Sequence, residues 1–138
     1  MHAIAFDIGE RWVGIAQVDE TGVLAVPYGT YQRRNFAEDV RALAELCKKF
    51  RAEALVIGLP LNMDGSEGGQ TRKVKELAQA VAQATGLPVF YVDERWTTKE
   101  VERALREAGE NLRNQRRKVD ALSAVLILQA WLERRRVV

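Results

Sequence analysis

The stretch Ala54-Leu55-Val56-Ile57, followed by Gly58-Leu59-Pro60, decides the fold. Its first four residues include nothing polar, so it reads as a strand with no face left for water, the condition of a parallel strand between two helix layers. Gly58 and Pro60 then end it. Just upstream, Phe36, Val40, Leu43, Cys47 and Phe50 recur at helical spacing, and Asn35 with Glu38 three positions on has the form of a capping box. Just downstream, Val74, Leu77, Ala78 and Val81 mark a second helix that Gly86 and Pro88 stop. Residues 89–92 make another short buried strand, ending at Asp93-Glu94.

Further out, residues 3–7 and 13–18 are short apolar runs separated by Gly9 and a polar bend, and Asp19-Glu20-Thr21-Gly22 reads as a hairpin turn into residues 23–31. Three antiparallel strands therefore open the domain. Toward the other end, Thr97 and Glu100 have capping-box spacing, and Val101, Ala104, Leu105 and Ala108 carry a third helix to Gly109. A polar, basic loop is expected next. The last helix has ten apolar residues among the twelve from 121 to 132, which predicts cover on nearly all sides. The order β-β-β-α-β-α-β-α-α belongs to the α/β class, as a mixed five-stranded sheet with helices on both faces. Ligands of such sheets collect beyond the strand ends at the point where chain direction switches, here where the first strand lies beside the fourth.

Composition sets the limits. A chain of 138 residues, 47% hydrophobic and 29% charged, suits one globular domain over residues 1–138, and an aromatic share of 7% requires an aliphatic core. A lone cysteine, Cys47, excludes a disulfide framework and suits a reducing compartment. The start of the chain shows no basic leader or small-residue cleavage site, and the longest apolar stretch falls well short of the ~20 residues that cross a bilayer. A soluble, cytoplasmic protein with no membrane partner is expected. Charge is uneven: residues 95–138 hold 11 basic and 6 acidic side chains, a net +5, against 10 and 13, a net −3, for residues 1–94. Arg113, Arg116, Arg117 and Lys118 lie within six residues, and Arg134, Arg135 and Arg136 near the end of the chain, either as a polyanion surface or as solvated helix ends.

Three acids stand out. Asp7 closes an otherwise apolar strand, where an ionised carboxylate needs a partner or a metal to offset desolvation. Glu94 closes the last strand, and because side chains alternate, only one of Asp93 and Glu94 can face Asp7's side; Glu94 has the longer reach. Asp120 stands at the entrance of the most apolar helix. Brought together, three carboxylates would repel one another without a divalent cation or protons between them. An all-oxygen set suits Mg2+ or Mn2+. The only histidine is His2, which argues against zinc and removes Ser-His-Asp and Cys-His chemistry. Acidic ligands with two hard cations serve phosphodiester hydrolysis. The glycine-rich loop 61–69 and the cationic helix start after it, with Arg72 and Lys73, suit a phosphate backbone, and Trp12, Trp96 and Tyr28 are either stacking platforms or packing residues.

Four motifs together resemble a known family: Asp7-Ile8-Gly9 with Gly14-Ile15-Ala16; Gly58-Leu59-Pro60-Leu61-Asn62-Met63-Asp64-Gly65-Ser66; Asp93-Glu94-Arg95-Trp96-Thr97-Thr98; and Val119-Asp120 before an alanine-rich helix. Their order and spacing, over almost the whole chain, are similar to those of the YqgF/RuvX family. These are bacterial Holliday-junction-resolvase-like proteins regarded as nucleases of the 5′ end of precursor 16S ribosomal RNA. The resemblance implies an RNase H-like fold, a role in ribosome maturation, and Asp7, Glu94 and Asp120 as catalytic residues and ligands for Mg2+ or Mn2+, two ions with substrate bound. Nucleic-acid contacts are expected from Arg11, Asn62, Arg72, Lys73, Arg95, Arg113, Arg116, Arg117 and Lys118. Two positions depart from the family pattern: Arg11 is followed by Trp12 where adjacent basic residues are usual, and Ser123-Ala124 replaces paired alanines.

Structured RNA of the pre-ribosome is the expected partner, with branched DNA, cut by a resolvase or exonuclease, as the alternative. A binding module of ribosome assembly without turnover is another. An ATP-binding protein is a further reading of Asp7-x-Gly9, but actin-like ATPases need two such lobes and this chain has one. The oligomeric expectation is a monomer or weak homodimer.

Overall fold

The computed structural model describes residues 2–94 and 112–136, except the side chains of 112–120 and 136. Five strands, β1 (Ala3–Ile8), β2 (Trp12–Val18), β3 (Ala25–Gln32), β4 (Ala54–Leu59) and β5 (Val89–Asp93), form one sheet in the order β3-β2-β1-β4-β5. The first three are antiparallel, while β1 pairs parallel with β4 and β4 with β5. The chain lays β2 and β3 on one side of β1 and β4 and β5 on the other, so the point where its progress across the sheet reverses falls between β1 and β4, as the strand order predicted. Helices α1 (Phe36–Lys49) and α2 (Gly69–Thr85) cover one face, and α3 (Leu112–Arg136) crosses the other over β2, β3 and β1.

Strand alternation sorts the core by size. Ile4, Phe6 and Ile8 of β1 and Leu55, Ile57 and Leu59 of β4 meet Leu43, Cys47, Val74, Leu77 and Val81 beneath α1 and α2. The intervening Ala3, Ala5, Ala54 and Val56 face α3, and their small volume leaves room for Ile127, Leu128 and Trp131. Asp7 continues the row of Ala3 and Ala5, and Gly58 the row of Ala54 and Val56. Both therefore lie on the α3 face.

Local signals hold where backbone chemistry dictates them. Asn35 Oδ1 accepts the Glu38 amide at 2.9 Å and caps α1, and Gly86, at φ 73°, ends α2 with its amide on Ala82 O. The 19–22 hairpin turn is held by Asp19 Oδ1, which accepts from the Thr21 hydroxyl and the amides of Val23 and Leu24.

Three expectations change. The predicted basic loop before residue 121 is helical from Leu112, because Leu112, Arg113, Gln115, Arg116, Arg117 and Lys118 are good helix formers with no glycine or proline among them. Asp120 is consequently two turns inside α3 and not at its entrance. Strand β5 is an edge strand: among the described residues only Val92 is buried, and Phe90 is 39% exposed against the Trp131 ring, because β5 hydrogen-bonds on one side alone. The predicted cover of the last helix is present, since no residue from 121 to 132 is exposed. The helix expected over residues 97–109 lies outside the described residues.

One buried polar group ties the strand ends to the helix layer. Asp39, 1% exposed, accepts from the Tyr31 hydroxyl and the Arg34 amide at 2.9 Å and from Arg33 Nε at 3.0 Å. Arg33 also donates from Nη1 to Gly9 O, and its amide to Arg11 O. Burial by itself would raise the Asp39 carboxyl, but these donors hold it below the ordinary carboxylate range. A depressed carboxyl contributes stability above its unfolded pKa and loses it as pH falls through the folded one. Asp39→Ala should therefore lower stability by about 3 kcal/mol in urea unfolding at neutral pH, with the gap to wild type narrowing in acid.

Candidate active site

At the carboxyl ends of the parallel strands two carboxylates come together on the α3 face. Asp7 lies one residue beyond the Phe6–Ile57 pair of the β1–β4 ladder, and so beside Gly58. Glu94 directly follows β5, with its amide on Leu59 O at 3.2 Å. Alternation from Val92, which packs under α3, sends Glu94 and not Asp93 to Asp7's side. Its Oε2 is buried over Gly58, where a Cβ would come within 2.5 Å of that oxygen and would overlap Ile127 Cδ1. The missing side chain at Gly58 thus makes the space that Glu94 and Ile127 share.

The pairing has an electrostatic signature. Burial first, then repulsion from Glu94 and a hydrogen bond with it, push the Asp7 carboxyl well above its ordinary value. Two adjacent acids in a desolvated setting retain a proton between them or take up a cation. The third predicted acid, Asp120, occupies a position on α3 seven residues before Ile127, hence on the same stripe of the helix; its side chain lies outside the described residues. Ser123 and Ala124, between the two, are both buried.

Around the lip of the sheet from Asp7 runs a groove of about 930 Å³, bounded by the β1–β2 turn, the β3–α1 corner and the first turn of α2. Gly9 closes the β1–β2 turn with its amide on Trp12 O, and a Cβ there would lie 2.9 Å from that oxygen. Arg11, Arg33, Arg34 and Lys73 line the groove.

The RuvX family, described as Holliday junction resolvase, matches residues 1–134. This chain belongs to that family. A protein of Anaeromyxobacter dehalogenans named "Putative pre-16S rRNA nuclease" is 42% identical over 135 residues, 98% of each chain. A protein of the same name from Thermosynechococcus vestitus is 40% identical over 132 residues, covering 96% of this chain and 87% of its own. Among solved structures, T. thermophilus RuvC in complex with a Holliday junction substrate superposes with a TM-score of 0.64 at 19% identity, over 99% of this chain and 97% of that one. The fowlpox virus resolvase bound to Holliday junction DNA gives 0.61 at 10% identity, over 97% and 98%. These likenesses establish the RNase H-like fold of the RuvC-type resolvases.

Within this family member, the expected nucleic-acid contacts fall in several places. Arg11 and Lys73 line the groove, and Arg72 is exposed in the first turn of α2. Asn62 is exposed too, but its Nδ2 donates to Ser66 Oγ at 3.0 Å and its Oδ1 faces Gly68, so its amide shapes the loop ahead of α2. Arg113, Arg116, Arg117 and Lys118 lie on the first two turns of α3, their side chains outside the described residues, and Arg95 and Trp96 lie outside them altogether. Tyr28 packs edge-on against Phe50 at the opposite end of α1 from the groove, a packing role. Sequence reasoning missed Arg33, Arg34 and Asp39. The visible signal was an Arg-Arg pair immediately before the Asn35 cap.

Two measurements probe this geometry. A carboxyl with a raised folded pKa contributes stability fully below its unfolded value and loses it as pH rises through the folded one. In chelator, wild-type melting temperature should therefore decline as pH rises from about 4, and Asp7→Asn should decline less and melt higher at neutral pH. Gly58→Ala should cost about 1–3 kcal/mol in denaturant unfolding through overpacking against Ile127 and Glu94. A Gly58→Ala variant as stable as wild type would show the close approach to be unimportant.

Proposed function

We propose that this protein is a metal-dependent nuclease that hydrolyses phosphodiester bonds at the 5′ end of precursor 16S rRNA during ribosome biogenesis. It acts in the cytoplasm as a single RNase H-like domain over residues 1–138, as a monomer or weak homodimer. The observation that carries this reading is the buried side-by-side placement of Asp7 and Glu94 at the strand ends, beside a groove lined by cationic side chains. Full-length relatives near 40% identity that bear the pre-16S rRNA nuclease name support the substrate. No described helix is long and apolar enough to cross a membrane, which fits the compartment.

The donor set fits a hard divalent cation. Asp7 and Glu94 offer only oxygen, their mutual repulsion disfavours the doubly ionised pair without a counter-charge, and Asp120, from its position on α3, would supply a third ligand. Bound Mg2+ or Mn2+, two ions with substrate in place, would activate a water and stabilise the leaving oxygen of the cut strand. The chain's part is to hold the acids in register. Gly58 makes room for Glu94, β1 aims Asp7 at α3, and Asp7 would give up its proton on becoming a ligand.

The decisive experiment offers precursor 16S rRNA fragments and four-way DNA junctions to the purified protein, with Mg2+, Mn2+ or chelator. Wild type should cut the RNA only with metal, and Asp7→Asn and Glu94→Gln should lose at least about 100-fold in rate while staying folded. Undiminished cleavage by either variant would remove that acid from catalysis. Preferential cutting of the junction would replace the RNA substrate with branched DNA.

A further inference from the structure

We propose that the groove beside the acidic pair binds an unpaired stretch of the RNA strand that flanks the bond to be cut. Bases stack on Trp12 and Phe36, and phosphates lie on Arg11, Arg34 and Lys73. This rests on the nuclease reading for the identity of the strand, while the groove's own chemistry selects its single-stranded form.

Position comes first. Ile8 and Gly9 line the groove, and Gly9 is two residues from Asp7, about 7 Å along an extended strand. A strand leaving the acidic pair over the lip at Gly9 enters the groove directly. Charge comes second. Arg11, Arg34 and Lys73 are exposed and form no ion pair among the described residues, whereas Arg33 is tied to Asp39 and fixes the wall. The acids on the lining are Glu10 and this neutralised Asp39, so the cations prevail. The start of α2 adds backbone amides: its Gly68 cap makes no side-chain hydrogen bond, and Gly69 and Gln70 border the groove.

The aromatic rings decide between paired and unpaired nucleic acid. Phe36 opens α1 with 50% of its surface exposed, although its side chain is large and apolar, and Trp12 is half-buried on the same lining. Neither lies in the buried core on either face of the sheet. A duplex hides its base faces within its own stack and offers such rings nothing but sugar and phosphate. An unpaired strand presents a π-face from every base, so rings interleaved with cations suit it regardless of sequence.

The test is binding in chelator, where turnover plays no part. Fluorescence anisotropy would follow a labelled single-stranded RNA of about 12 nucleotides and a blunt RNA duplex of the same sequence. The single strand should bind more tightly. Trp12→Leu and Phe36→Ala should each weaken it about 5- to 150-fold, Trp12→Phe should restore most of the affinity, and Arg34→Ala should flatten the log–log salt slope by about 0.7. Circular dichroism and melting temperature identify any variant that fails to fold, and the Trp12→Phe protein carries the comparison if Trp12→Leu does so. Equal or tighter duplex binding, or single-strand affinity indifferent to both rings, would overturn the proposal. The two readings fail separately. Loss of strand binding in the ring variants with undiminished cleavage by Asp7→Asn sinks the acidic site and leaves the groove, and the converse pattern does the reverse.

Discussion

Two carboxyl groups held side by side out of water, which cannot both ionise without a counter-charge, are the constraint around which this molecule is arranged. Asp7 and Glu94 come from strands separated by β4, and the row between them has to be empty for their carboxyls to meet. Gly58 supplies that emptiness, and the same vacancy lets Ile127 press α3 onto the sheet. Packing and chemistry thus depend on one missing Cβ. The small residues Ala3, Ala5 and Ala54 continue the same logic along the face, since α3 with its Trp131 and Leu128 needs a shallow surface beneath it. The buried leucine and isoleucine side chains of the strands go to the opposite face, where α1 and α2 pack over Phe6 and Ile57.

A second polar device connects the acidic pair to the groove. Asp39 reaches from α1 to the ends of β3, and through Arg33 its influence extends to the carbonyls of Gly9 and Arg11. The β1–β2 turn is therefore held from outside as well as by its own ladder. Its rigidity matters because Asp7 is two residues away, and a carboxylate serves as a ligand or a proton acceptor only when its direction is set. The arrangement also separates two uses of arginine. Arg33 is consumed by structure, with Asp39 neutralising it, while Arg34 next to it lends only its amide to that acid and keeps its guanidinium at the groove.

The start of α3 shows competing local forces. Four basic residues in the first turns of a helix oppose its macrodipole, and a polar loop is the natural expectation from charge alone. Helix propensity of Leu, Arg, Gln and Lys, with no breaker in the run, prevails and carries the helix back to Leu112. Asp120 is thereby moved from a capping position to an interior one, so its presence has no explanation in helix-end electrostatics. At the far end, Arg135 stacks over Trp131 at 4.7 Å, as a cation near a helix C-terminus is free to do.

Much of this was legible in the residues alone, because it depends on periodicity and on local hydrogen bonding. The all-apolar run of β4 required cover on both faces, the alternation of β1 assigned Asp7 a side, and Asn35 and Gly86 set helix ends through their own backbone and side-chain geometry. A period of two left room for only one of Asp93 and Glu94 on Asp7's side and reach favoured Glu94, but the packing of Val92 under α3 is what assigns the face. Other features depended on which distant segments meet, and no local pattern encodes that. Half-exposure of β5 follows from its place at the sheet edge, the buried role of Asp39 from the meeting of α1 with the ends of β3, and the groove from three loops converging at one end of the sheet. Phe36 appeared to be one more apolar residue on a helix face. Only the packed structure turns its ring outward, because it opens the helix at the corner where the sheet beneath has already ended.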